Sequence, residues 1–248
     1  MANWSDPQVS VTPQGGTVGT ATGTSVDAGL RAHMLSVYNY MTSGILLTGI
    51  VALAFAWGGP NSLAAQIFIN GGILRWVVML APLGVVLWMS FGINRISEST
   101  AKILFFVYSA LMGASLCYIF LIYNLGSIAL TFFATAAAFA SLSLYGYTTQ
   151  RDLSGMGTFL IMGVVGILVA SVVNLFWQNN TMSLVIAAVG VLIFAGLTAY
   201  DTQKIKSLYF QLQGSQFIGK AAIMGALELY LDFINMFLFL LRFLGSRD

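Results

Sequence analysis

Seven long apolar runs alternate with short polar connections along the chain, at residues 36–57, 72–93, 103–123, 127–146, 157–177, 182–201 and 221–243. Each is near the ~20 residues that an α-helix needs to cross ~30 Å of hydrocarbon. Strands at that depth would leave backbone donors and acceptors unsatisfied, so the runs are predicted to be helices. The pattern predicts an all-α integral membrane protein, a bundle of seven transmembrane helices forming one domain over residues 31–248. The connections are brief: "GGPNSLAAQIFINGG", "NRISESTAK", "YNLGS", "GYTTQRDLSGM" and "QNNT", then the longest, "TQKIKSLYFQLQGSQFIGK", before the last span.

Residues 1–30, "MANWSDPQVSVTPQGGTVGTATGTSVDAGL", break the pattern. Gly, Thr, Ser and Pro without apolar periodicity cannot bury enough surface to offset the entropy of ordering, so a disordered amino-terminal arm is expected. The arm lacks the basic start and apolar middle of a signal peptide, and the first span is therefore expected to be retained.

Composition agrees with the pattern: 58% of residues are hydrophobic and 7% charged, against roughly 25% charged in soluble domains. The formal net charge of +2 argues against a nucleic-acid partner, and no dense Lys/Arg cluster suggests a polybasic lipid switch. Cys117 stands alone in an apolar run, which excludes a disulfide framework or thiolate metal site and leaves small apolar packing.

The placement of charge sets an expected orientation. Arg31, Arg95, Lys102, Arg151, Lys204, Lys206 and Lys220 fall on the amino terminus and every second connection after it. By the positive-inside rule that side, with the amino terminus, is cytoplasmic. Trp57, Trp76 and Trp177 then mark outer ends, and Tyr145, Tyr147 and Tyr200 inner ends, as an interfacial aromatic belt. Seven spans put Arg242, Arg247 and the carboxyl terminus outside; a re-entrant last segment would return that terminus to the cytoplasm. Small residues in "ATAAAFASLS" and the Ser109/Gly113 pair allow close helix packing. Pro82 removes one backbone donor from the second span and is a candidate kink.

Three acids interrupt this apolar chain in one half of the predicted membrane. Asp201 lies in "LTAYDTQKIK", and Glu228 and Asp232 in "LELYLDFINMFLFLLRFLG". A carboxylate at the centre of a spanning helix costs about 2.5–3.5 kcal/mol to insert, so such acids are functional candidates by default. Asp232 is roughly 16 Å into the last span. Glu228 lies four residues before it and Asn235 three after, on the same face, making a polar stripe. Two carboxylates meeting in a poorly solvated site hold a proton between them and titrate as a unit. They also offer the hard oxygen ligands that calcium takes, with Glu228 as a third ligand. Arg95, at the same end, is a candidate latch for them. The competing readings are plain ones: Asp201 as an interfacial acid paired with Lys204 or Lys206, and Asp232 as a buried acid satisfied by Asn235 or a hydroxyl. His33 reads as an interfacial residue, Arg242 as a snorkelling one.

"AYDTQKIK" followed by "ALELYLDFINMFLFLLRFLG" resembles the Bax inhibitor family, the transmembrane Bax inhibitor motif proteins, and its bacterial branch in particular. The resemblance covers about residues 31–248, including "NRISESTAKILFFVYSALMGASL". It implies a seven-helix bundle with the last helix central, wrapped by the other six. It also implies that Asp201 and Asp232 form a proton-sharing pair latched by an arginine, carried over to Arg95. The activity implied is a pH-sensitive calcium leak across the membrane, without an enzyme's chemistry or a cofactor. The alternative reading is an interaction protein that regulates a membrane-bound AAA protease or another membrane complex without ion flux. The composition of the arm and the absence of a retrieval signal fit a bacterial inner membrane. An intramembrane hydrolase is the third class: two membrane aspartates suit hydrolysis, but no zinc-ligand His pair and no "GxGD" setting accompanies them.

Overall fold

The computed structural model describes residues 18–246, with side chains from residue 28 onward. Among them the chain forms nine α-helices: α1 (Val18–Ala56), α2 (Leu63–Phe68), α3 (Ile73–Gly92), α4 (Glu98–Leu116), α5 (Ile119–Ile122), α6 (Leu125–Thr148), α7 (Ser154–Trp177), α8 (Asn180–Leu212) and α9 (Ile218–Leu244). Seven segments are long and apolar enough to cross a membrane, the third being α4 with α5, from Glu98 to Ile122. They coincide with the seven runs read from the sequence.

The short polar connections do more than turn the chain. A helix leaves its first backbone donors unpaired, and in hydrocarbon those cannot be left to water. Ser62 accepts from the Ala65 N–H at the start of α2, and Ser97 from Thr100 at the start of α4. Asn124 accepts from Ser127 at the start of α6, and Asn179 from Met182 at the start of α8. These four connections therefore carry the cap for the helix that follows, whereas α3, α7 and α9 start without a side-chain cap.

Two boundaries differ from expectation. Helix α1 begins at Val18, so residues 18–30 of the expected disordered arm are helical. A stable span supplies the nucleus, after which each further turn is cheap to add. The rest of that arm, residues 1–17, lies outside the described residues. Helix α8 continues past the expected end at residue 201 to Leu212, which makes it about 50 Å long. The expected long connection before the last span is thus mostly helix. Its polar tail stays helical because Thr202, Ile205 and Tyr209 are buried at helical spacing. Helix α3 runs unbroken through Pro82.

Burial is uneven across the bundle. Of the most apolar stretch of α9, 61% is buried, against 17% for α7 and 11% for α3. Helix α9 packs against α1, α4, α6 and α8, while α3 and α7 pack chiefly on α4 and α8. The main packing on the last helix thus comes from four of the other six spans, and α9 is the most buried of the seven. The small residues act as expected: a side chain at Gly113 would strike the Thr48 carbonyl of α1, and one at Gly146 would strike the Ala199 carbonyl of α8. Those contacts are backbone to backbone, which only a missing Cβ allows. Cys117 is buried and donates to the Ala114 carbonyl, consistent with a packing role.

A buried acid pair and its neighbours

The seven basic residues read as one side of the membrane do gather at one end of the bundle. Lys220 donates to the Ile93 carbonyl and Lys206 to that of Tyr147, and Gln203 bridges the Leu153 N–H and the Arg151 carbonyl. These contacts tie together the connection after α3, the α6–α7 connection and the α8–α9 corner.

Depth into the bundle from this end separates the acids. Asp201 lies about 16 Å from the end of α8 and Asp232 about 21 Å from the start of α9, counting 1.5 Å per residue. Their carboxyl groups meet side chain to side chain. Asp232 is 4% exposed, and its Oδ2 has no donor among the described residues. Ionised carboxylates only accept, so the two side chains can hydrogen-bond only when a proton lies on one of them. Asp201 is slightly more open, with 13% of its side chain exposed.

Glu228, one turn earlier on α9, faces a different partner. The Lys204 ammonium donates to its Oε1 at 2.8 Å, and the same nitrogen stands 3.8 Å from Asp201 Oδ1. The order is thus Asp232, Asp201, Lys204, Glu228, three acids around one cation. Among the described residues no three acidic, His or Cys side chains converge closely enough to hold a metal ion. Of the expected calcium ligands Asp201, Asp232 and Glu228, the structure places Lys204 between Glu228 and Asp201.

Two further candidates are displaced. Asn235 turns back to its own helix, donating to the Leu231 carbonyl at 2.8 Å. Arg95 lies exposed in the connection after α3, and none of the ion pairs among the described residues includes it. The cation beside the acids is Lys204, three residues after Asp201 and so on the same helical face. Its spacing is the signal that marks it, and it belonged to the plainer reading of Asp201.

One part of the surroundings was not legible as a site. The Tyr38 hydroxyl lies 2.6 Å from Ser143 Oγ, which lies 3.0 Å from Thr202 Oγ1. Thr202 donates to the Thr198 carbonyl, and Thr198 to that of Phe194. A file of hydroxyls thus runs from α1 through α6 to the residue after Asp201. A second polar cluster lies deeper, where Tyr230 bonds Thr48 at 2.7 Å and Thr48 reaches the Ser109 carbonyl. Beside it the Tyr108 hydroxyl is buried without a partner among the described residues. His33 is buried too, its ring 5.3 Å from that of Tyr209 near the end of α8.

The fold and these acids define a class: an all-α integral membrane protein carrying a carboxyl pair inside its bundle. Residues 30–248 match the family described as Inhibitor of apoptosis-promoting Bax1, and the chain belongs to that family. It is 44% identical over 223 residues to the inner membrane protein YbhL of Escherichia coli (strain K12), covering 89% of this chain and 94% of that protein. It is 46% identical over 229 residues to the uncharacterized protein RP147 of Rickettsia prowazekii, covering 92% and 95%. An uncharacterized membrane protein of Streptococcus pyogenes, M6_Spy0327, is 34% identical over 225 residues, covering 91% and 97%.

Proposed function

We propose that this protein is a proton-responsive cation leak, with calcium as the ion, in which Asp201 and Asp232 form the proton sensor. The observation that carries the reading is the enclosed Asp232 carboxyl, one oxygen of which has no partner among the described residues, beside the side chain of a second acid, Asp201. Such a pair is satisfied with one proton and frustrated with none, so the contact between α8 and α9 follows the proton. Lys204 takes the role expected of Arg95. It bridges Asp201 and Glu228, and a change of charge on the pair alters its pull toward either side.

Calcium enters as the permeating ion, not as a resident one. Carboxylates facing a wetted path attract a divalent cation electrostatically without forming a closed cage. The relative YbhL is named an inner membrane protein, and we assign this chain to the same membrane, with the basic end of the bundle in the cytoplasm. The test is calcium entry into proteoliposomes, followed with a trapped indicator from acid to alkaline pH. The reading expects entry whose rate follows pH and is sensitive to Lys204→Met but not Arg95→Gln. A folded protein that passes no calcium at any pH would overturn it.

A further inference from the structure

A groove of 870 Å³ opens between α1 and α6, with Phe233 of α9 at its floor. Leu35, Leu46 and Leu144 on its rims are exposed, so in a bilayer the slot faces hydrocarbon. From Arg31 to Leu46 it follows α1 for about 22 Å, longer than the ~15 Å of one leaflet's hydrocarbon. A smaller cavity of 240 Å³ shares Ile45, Phe132 and Phe233 with it and continues toward Leu53 and Leu125.

Polarity is graded along this slot. Arg31, Tyr38, Ser143 and Tyr147 stand toward one end, and no acid lines the slot at all. Past Thr42 the lining is aliphatic and aromatic apart from Gly49 and Thr48, whose hydroxyl is taken up by Tyr230 and the Ser109 carbonyl. Arg31 is exposed and takes part in none of the ion pairs among the described residues. A second cation, Lys206, lies over the Tyr147 ring at 5.2 Å. The slot therefore has the polarity of an amphiphile in reverse: a cationic end at interface depth, then a hydrocarbon-lined channel.

We infer that the groove between α1 and α6 binds an anionic bilayer phospholipid, its phosphate at Arg31 and one acyl chain laid along Phe139 and Phe233. A guanidinium suits a phosphate because its planar fork gives two parallel hydrogen bonds. The bound lipid would lie on the turns that carry the acids. Tyr38 and Ser143 in the groove wall lead to Thr202, next to Asp201, and Phe233 follows Asp232 in the chain. This site stands apart from the leak reading, and its test does not use flux.

The experiment is native mass spectrometry of the full chain in detergent, titrated with dioleoyl phosphatidylglycerol or dioleoyl phosphatidylcholine. Wild type should retain one phosphatidylglycerol about fivefold better than phosphatidylcholine, the worth of one basic side chain at an anionic surface. Arg31→Gln should erase that preference. Ala140→Trp should fill the groove and lose retention of both lipids, while Val169→Trp on the lipid face of α7 should match wild type. Ala136→Leu, a smaller filling, decides the matter should the tryptophan variant fail to fold. Filling variants that retain lipid as Val169→Trp does would overturn the site, and wild type holding both lipids equally would overturn the role of Arg31.

Discussion

Asp232 and Glu228 sit one turn apart on α9 and face different surroundings. Glu228 keeps about a third of its side chain exposed and has a lysine 2.8 Å away. Asp232 is enclosed, and its nearest charged neighbour is another acid. The two side chains differ by one methylene, so chemistry does not separate them. A single turn of helix moves a carboxyl from a site where a cation and water compensate its charge to one where only a proton can. The same four-residue stripe that reads in sequence as one polar face is therefore two sites.

The largest expected effect comes from making the two alike. Asp232→Asn keeps the shape and removes the titration, so calcium entry in this variant should lose its pH dependence altogether, whereas Glu228→Gln should keep it. Next comes the support beneath the pair. Gly146 lets α6 meet α8 at Ala199, two residues before Asp201. Gly146→Leu should destabilise the bundle by about 1–3 kcal/mol through overpacking, measured by unfolding in mixed micelles. Gly166 of α7, with open space where a Cβ would stand, should accept Ala within about 0.5 kcal/mol.

A smaller effect tests whether buried polar groups follow the same rule as the acids. Tyr230→Phe removes the bond to Thr48 and should cost about 1 kcal/mol. Tyr108→Phe removes a hydroxyl that has no partner among the described residues and should be neutral or slightly stabilising in the same assay. The smallest effect lies outside the membrane. The Ser154 hydroxyl, and after it the Ser154 N–H, which donates to Asp152, hold the Asp152 carboxyl below the usual range. That contact is present at neutral pH and lost as the pH falls through the lowered pKa. Protection of the amides at the first turn of α7, taken against their intrinsic exchange rates, should accordingly fall in acid, and Asp152→Asn should remove that fall.

The spans and the acids were legible because the signals are local: an apolar run long enough to cross a membrane, and a carboxyl where its insertion is costly. The extension of α8 was less so, since its polar residues read as a connection. The buried trio Thr202, Ile205 and Tyr209 shows that helical periodicity was present in it. Arg95 and Lys204 lie at the same end, and sequence alone cannot say which cation reaches the acids. Packing decides it, because Lys204 rides on the helix that carries Asp201 while Arg95 sits on an exposed connection. The file from Tyr38 through Ser143 to Thr202 joins three helices and has no local signature. Ser143 ends the stretch "ATAAAFASLS", where a packing role was the visible one.

The most direct measurement compares calcium entry into proteoliposomes for wild type and Asp232→Asn across acid to alkaline pH, with helical content checked for both. A wild-type rate that follows pH and a flat Asp232→Asn profile is the result the carboxyl-pair account predicts. An Asp232→Asn profile that still follows the wild-type curve would contradict it, and the sensor would then lie elsewhere in the bundle.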